Sequence, residues 1–560
     1  MFAPHKTCVL AAISVALAIG TPAEAGAAEP GPAATWWSHI AALASDALQG
    51  RLPGTPGHDK AASYVVARLK AYGVKPMAAS GFLQPVRLIE QKVVADRSRA
   101  SLIAGGDERP LTLGDDLILG SRFPQPQAIE APLVFIGYGL HIPSRGHDDF
   151  FGQDLRGKIA VAINGGPGRL SAADKSGARA AETWKSLERL GAVGLITLPT
   201  PRSMDIPWER QRLLAAGPGM YLADPALQET AGPRFTATAN PAQAEKLFAN
   251  SGHSYAEVLA LADAAQPIDG FPLNLSLRAA VAAETRTLTS ANVLGVLRGS
   301  DPRLSREYVV VSAHLDHLGV GPENGGDRIY NGAMDDASGV ATVLEAARTL
   351  GKTRSRPKRS IQFAIFTAEE KGLLGSRAFA QNPGAPRGSI VADLNLDMPL
   401  PLWPLKSLYM PGADESSLGR EAAAVAAVHG LAIVPDPFPD RNVFTRTDQF
   451  SFVRAGVPAI ALKFGFTAGS PEAQVERTWR AERYHSPSDD LAQPVDLEAA
   501  GRFNAFVSAL AVHLADQPSA PVWQPGSLFG PPAPRAQELL TIPLEMPLGR
   551  RPQKVLPGYG

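Results

Sequence analysis

The chain has 560 residues, of which 45% are hydrophobic, and its 54 Lys and Arg are balanced by 54 Asp and Glu. That length exceeds one ordinary domain and implies two or three folded units. A net charge of zero leaves no positive field to gather nucleic acid or an anionic membrane surface, which excludes polyanion binding as the main activity.

The first stretch, MFAPHKTCVLAAISVALAIGTPAEAGAAEP, has a basic start through Lys6, an apolar run over 9–20 and a small-x-small site at Ala23-Glu24-Ala25. This pattern predicts a secretory signal peptide over residues 1–25, and hence an exported protein, periplasmic or secreted. The run is too short to span a bilayer, and no other apolar run approaches that length, so no membrane span is expected once the leader is removed. The single cysteine, Cys8, lies inside this leader. The exported chain would then have no disulfide, no thiol nucleophile and no thiolate metal site. Any metal it held would rest on imidazole nitrogens and carboxylate oxygens.

Residues 36–125 are expected to open the main domain. WWSHIAALASDAL has helical apolar spacing, QGRLPGTPG reads as a turn, and a second amphipathic helix runs from about His58 to Tyr72, closed by Gly73. The texture then changes. APLVFIGYGL, LRGKIAVAING and AVGLITLP read as short strands around one helix, which predicts a compact β-rich insert over 126–285. Residues 286–515 alternate strand and helix, the pattern of an α/β domain with a mostly parallel mixed sheet sandwiched by helices. EYVVVSA, SIQFAIFTA, SIVADLNLD and VPAIALKF are its strands. SGVATVLEAARTLG is a helix with Val340, Val343, Leu344, Ala347 and Leu350 on one side and Gly351 as terminator. Residues 516–560 are rich in Pro and Gly and are expected to wrap the surface or to stay mobile.

Ligands of open α/β sheets bind beyond the carboxyl ends of the strands. That rule selects His314 and Asp316 in SAHLDHLG, Asp335 and Asp336 in NGAMDDASG, Glu369 and Glu370 in FTAEE, Asp397 in LNLD, and His485 in RYHSPSDD. Each has a plain structural explanation when taken singly. A His-x-Asp can be a satisfied internal hydrogen bond, Asp335-Asp336 can cap the next helix, Glu369-Glu370 can be a first-turn charge pair, and a histidine is often a surface residue. Taken together, the strand ends deliver metal-type ligands to one edge. Imidazoles and carboxylates without thiolate suit a pair of zinc ions, with manganese or cobalt as substitutes. His317 follows close enough to line the same pocket, but packing or hydrogen bonding accounts for it equally well.

In this order the motifs resemble those of the secreted co-catalytic di-zinc exopeptidases, the family of bacterial leucyl aminopeptidases, glutamate carboxypeptidase and the transferrin-receptor ectodomain. SDALQGRLPGTPG is similar to that family's opening helix and turn, and the insert resembles a protease-associated domain. The resemblance covers most of residues 36–515 and implies the zinc exopeptidase fold. It also implies that Asp335 bridges two zinc ions. His314 and Asp397 would complete one ion's ligands, and Glu370 and His485 the other's. Glu369 would be the general base acting on a metal-bridging water. Asp316 would accept a hydrogen bond from the far nitrogen of His314. A cis bond between Asp335 and Asp336 is implied as well. Asp448 matches a position at which relatives commonly have Asp followed by His; Gln449 stands here instead. No residue can be assigned from the sequence to the tyrosine that some members use to stabilise an oxyanion.

The function expected on these grounds is a zinc-dependent aminopeptidase with peptide substrates. A carboxypeptidase or dipeptidase on the same scaffold remains open, because the metal motifs do not report which chain end is bound. An acidic cluster near the ions would favour a free amine, and an Arg or Lys cluster a carboxylate. A silent receptor-like protein stands against the full ligand set, as does a glutaminyl cyclase. The oligomeric state is not legible.

Overall fold

The computed structural model describes Met1 and residues 31–530, except Ala231 and Arg387. The expected leader over 1–25, beyond Met1, and residues 531–560 of the expected tail lie outside the described residues.

Two eight-stranded sheets organise the chain. The first runs in the spatial order Gly219–Leu222, Leu83–Val93, Ala283–Leu297, Ser360–Phe366, Tyr308–His314, Ile390–Asn395 and Ala459–Ala461, with Lys75–Pro76 also on Ala283–Leu297. It is mixed. Ladders from Ser360–Phe366 to Ala459–Ala461 are parallel, and those on the other side are antiparallel.

The parallel half is buried on both faces, which explains its unbroken apolar sequence. Along Tyr308–His314, Val309, Val311 and Ala313 join one core while Tyr308 and Val310 join the other. Helices Pro32–Leu43, Ser338–Lys352 and Leu497–Asp516 cover the first face, and Leu374–Gln381 and Gln449–Arg454 the second. Trp36 anchors the first face, its indole N–H donating to the Ser338 carbonyl at 3.1 Å and to Thr342 Oγ1 at 3.0 Å. Burying a side chain of this kind contributes about 1.5–3 kcal/mol. Gly351 does not end the helix Ser338–Lys352, as its spacing suggested. A Cβ there would lie 2.0 Å from the Tyr72 carbonyl oxygen, so this glycine permits close packing instead.

The second sheet has the order Asp107–Leu111, Arg99–Ala104, Phe271–Ala280, Ala128–Phe135, Ile159–Ile163, Gly194–Leu198, Phe235–Ala239 and Leu117–Leu119, with its own core around Phe135, Phe235 and Phe248. It starts at Arg99, earlier than the expected border at 126, because the hairpin Arg99–Leu111 pairs with Phe271–Ala280 rather than with the first sheet. Leu83–Val93 and Ala283–Leu297 lead out to this unit and back as one ribbon, paired from Leu83 with Val293 to Val93 with Ala283. The strand Gly219–Leu222 returns from it to the first sheet. The chain after 516 touches both units: Trp523 bridges to Ser416 and Phe529 packs against Phe444 and Phe450 of the first, while Arg145 of the second donates to the Gly526 carbonyl at 3.0 Å. Among the described residues no helix is long and apolar enough to cross a membrane.

Candidate metal centre

The carboxyl ends of the parallel strands converge as the topology requires. His314 closes its strand, Glu369 and Glu370 follow Ser360–Phe366, Asp397 follows Ile390–Asn395, and Asp335 lies in the irregular segment that starts the helix Ser338–Lys352. Backbone ties hold these ends in place. The buried guanidinium of Arg51, from the QGRLPGT turn, donates to the carbonyls of Leu315 at 2.7 Å, Asn331 at 2.5 Å and Gly332 at 3.0 Å. Asp336 accepts from the backbone N–H groups of His314 at 3.3 Å, Gly339 at 3.0 Å and Met398 at 3.0 Å, so it ties two strand ends to one helix start. The Asp335–Asp336 peptide is cis. Gly339 admits the crossing: a Cβ there would lie 1.8 Å from the Leu396 carbonyl oxygen.

Asp335 sits at the middle of the cluster. Its Oδ1 faces His314 Nε2 at 3.2 Å, and its Oδ2 faces His485 Nε2 at 3.3 Å. Beyond His314, Asp397 Oδ2 lies at 3.9 Å and Glu369 Oε2 at 4.0 Å from the same nitrogen. On the other side His485 Nε2 is 3.1 Å from Glu370 Oε2. The His485 ring is stacked on Tyr484 with centroids 3.9 Å apart, and the Tyr484 hydroxyl accepts from Arg446 at 3.1 Å. Two groups of three can each hold a divalent cation: His314, Asp335 and Asp397 on one side, and His317, Asp335 and Glu370 on the other.

The electrostatics call for cations at this point. Five carboxylates, Asp335, Asp336, Glu369, Glu370 and Asp397, are buried together, and the ammonium of Lys463 is 3.4 Å from Asp397. Uncompensated charge at this depth is costly. Burial drives Glu369 well above the ordinary carboxylate range, and Asp397, Glu370 and Asp448 drive it further against the opposing pull of His314. Burial alone would lower the pKa of His314, but Glu369, Asp335 and Asp336 outweigh it and raise it well above its usual value. Nε2 of His314 and Oε1 of Glu370 are nevertheless buried without a hydrogen-bond partner. Unpartnered ligand-type atoms buried within a carboxylate-rich cluster fit a metal centre.

All six side chains that the resemblance assigned to ligation and proton transfer, His314, Asp335, Glu369, Glu370, Asp397 and His485, are brought together. The seventh, Asp316, differs from expectation. His314 Nδ1 meets the backbone carbonyl of Asp316 at 3.1 Å, while the carboxylate stands off at 3.9 Å. That carboxylate instead accepts the N–H groups of Glu369 at 3.0 Å and Glu370 at 3.3 Å, and burial pushes its pKa up to about 6. The chain turns back under the imidazole after His314, which leaves the carbonyl as the nearer acceptor. Gln449 gives its amide to the Phe444 carbonyl at 2.6 Å, and Asp448 is fully buried with both oxygens unpartnered. Burial pushes Asp448 up to about 7.

A cavity of about 240 Å³ opens onto Asp335, Glu369, Glu370 and Asp397. Four cations, Arg122, Arg446, Lys463 and Arg480, also line it, together with Asp205 from the inserted unit. Sequence reasoning missed this wall. The four side chains come from segments with no shared motif, and only the fold brings them together.

The fold and site define an α/β protein with a carboxylate and imidazole metal centre at the carboxyl edge of a mixed sheet. Residues 292–511 match the model of peptidase family M28. The probable lipoprotein aminopeptidase LpqL of Mycobacterium tuberculosis (strain ATCC 25618 / H37Rv) is 32% identical over 258 residues, covering 42% of this chain and 45% of that protein. Aminopeptidase YwaD of Bacillus subtilis (strain 168) is 28% identical over 212 residues, covering 36% of this chain and 40% of that protein. The chain thus spans less than half the length of these curated relatives. An aminopeptidase from Aneurinibacillus sp. strain AM-1 has a similar fold, with a TM-score of 0.50 at 20% identity over 87% of this chain and 95% of that one.

Proposed function

We propose that the protein is a zinc-dependent metallo-exopeptidase of the aminopeptidase type, holding two ions that share Asp335. The observation that carries this reading is the placement of the two Asp335 oxygens, each about equally far from a different imidazole, at 3.2 and 3.3 Å. His314 and Asp397 would hold one ion, and Glu370 and His485 the other. Bound cations supply Lewis-acid polarisation of the scissile carbonyl and acidify water. The remaining work falls to the chain. Glu369 faces the cavity without being needed as a ligand, so its carboxylate is placed to take a proton from the attacking water and return it to the leaving amine. Asp316 fixes the backbone that presents Glu369, through the 3.0 Å hydrogen bond from its N–H.

The basic start, apolar run and small-x-small site within residues 1–25 support a leader and hence an exported protein, periplasmic or secreted, and the inserted unit is read as a protease-associated module. The names of the relatives support the aminopeptidase direction. A second reading, a carboxypeptidase or dipeptidase, is favoured by the cationic wall of Arg122, Arg446, Lys463 and Arg480, which suits a substrate carboxylate. Incubation with zinc and matched free-amine, N-blocked and C-blocked peptides separates the two. Cleavage confined to peptides with a free amine supports the aminopeptidase, and equal cleavage of N-blocked peptides overturns it.

A further inference from the structure

His317 is fully buried, and neither of its ring nitrogens has a hydrogen-bond partner. A buried imidazole with neither nitrogen in hydrogen-bond geometry recovers little of its lost hydration, and its one close polar contact is itself with a carboxylate of the cluster. Its Nδ1 lies 2.7 Å from Glu370 Oε1, outside hydrogen-bond geometry, and 4.0 Å from Asp335 Oδ2. The ring is held in place from behind: a Cβ on Gly332, whose φ is +60°, would come 2.6 Å from His317 Cγ.

We propose that His317 is a direct ligand of the second ion, alongside Asp335, Glu370 and His485. This rests on the two-ion reading above. Atoms that each bind zinc at about 2.1 Å stand no more than about 4.2 Å apart. The separations from each imidazole to the two carboxylates satisfy this limit: 2.7 Å to Glu370 Oε1 and 4.0 Å to Asp335 Oδ2 from His317 Nδ1, and 3.1 Å to Glu370 Oε2 and 3.3 Å to Asp335 Oδ2 from His485 Nε2. The His317 and His485 rings approach the same point at 64° with centroids 5.8 Å apart, as two ligands on neighbouring vertices do. The two ions then differ in kind. The second has four protein ligands and is coordinatively closed, whereas the first, on His314, Asp335 and Asp397, keeps a position open to the cavity.

Cobalt(II) loaded into protein labelled with ¹⁵N-histidine tests the assignment, with calorimetry counting the ions bound. Two bound ions and three paramagnetically shifted imidazole rings are the expected result. His317→Gln should lose one of the three and weaken one of the two binding steps by about tenfold to a hundredfold. Two ions with only two shifted rings in the unsubstituted protein overturn the role of His317 and leave the two-ion reading standing. No cobalt uptake overturns that reading and this proposal together. The unsubstituted spectrum decides even if the variant does not fold.

Discussion

The carboxylate of Asp489 grips the backbone that carries Asp335: its Oδ2 accepts the Asp335 N–H at 3.0 Å and its Oδ1 the Met334 N–H at 2.9 Å. The motif holding His485 thereby also fixes the carboxylate shared by both halves of the site. In Asp489→Asn one of these two acceptors becomes an amide donor facing an N–H. Metal affinity should fall about tenfold to a hundredfold, with about 1–3 kcal/mol of stability lost. Zinc titration and urea unfolding measure the two effects, and unchanged zinc affinity would remove Asp489 from the support of the site.

Glu369→Gln keeps the shape of the side chain and removes its basicity. Turnover should drop by about 10² to 10⁴ while zinc content stays at the level of the unsubstituted protein. Loss of bound zinc in this variant would make Glu369 a ligand rather than a base.

Chelation should cost stability as well as activity, because the buried carboxylates lose their counter-charges. An ion present at a hundredfold excess over its dissociation constant contributes about 2.7 kcal/mol. Dialysis against EDTA should therefore lower the melting temperature by several degrees, with zinc restoring it. Calorimetric scans with and without zinc that overlay would refute tight metal binding.

On the carboxypeptidase reading, Lys463 and Arg446, which line the cavity and are paired with Asp397 and Asp205, would receive the substrate carboxylate, and a substrate with a free C-terminal carboxylate should feel their loss more than its amide does. Hydrogen bonds to charged groups contribute about 1.5–3 kcal/mol, so Arg446→Ala should raise KM for the acid roughly tenfold. An equal change for acid and amide would exclude a carboxylate-binding role.

His58 is fully buried in the first turn of the helix Pro56–Ala71, and burial, reinforced by Arg51, lowers its pKa to about 3. Burial likewise lowers His39 to about 4. Both titrate near 6.5 in the unfolded chain, which therefore binds more protons below that pH. Their contribution is complete above pH 6.5 and is lost progressively as the pH falls, down to about 4 for His39 and about 3 for His58. His58→Gln should flatten this acid slope of the urea midpoint, and an unaltered slope would clear His58 of the effect.

Much of the site was legible in the sequence because His314, Glu369, Glu370 and Asp397 sit at strand ends, where local spacing and the topology rule coincide. Asp335, at the start of the helix Ser338–Lys352, and His485, after the helix Pro471–Glu482, were found from their motifs and the order of those motifs along the chain. His317 shared the motif of His314, but spacing cannot say which way a loop residue turns. The role of Asp316 was misread for the same reason, since the backbone carbonyl and the carboxylate of one residue compete for one imidazole. The border of the insert was hidden because the hairpin Arg99–Leu111 is polar on its exposed side and looks locally like any other. Arg51 was visible only as part of a turn, and three of its four carbonyl partners lie more than 260 positions away.

The return strand Gly219–Leu222 has a consequence for any attempt to shorten this protein. It lies along Leu83–Val93 at the outer margin of the first sheet, pairing Leu88 with Leu222 and Gln91 with Gly219. Trimming the chain between Val93 and Ala283 to a short hairpin would strip that margin and leave a row of unsatisfied amides and carbonyls open to stacking between molecules. The four-residue strand Gly219–Leu222 thus shortens the edge that the longer Leu83–Val93 would otherwise present, and a trimmed version is expected to need charged or proline substitutions along Leu83–Val93.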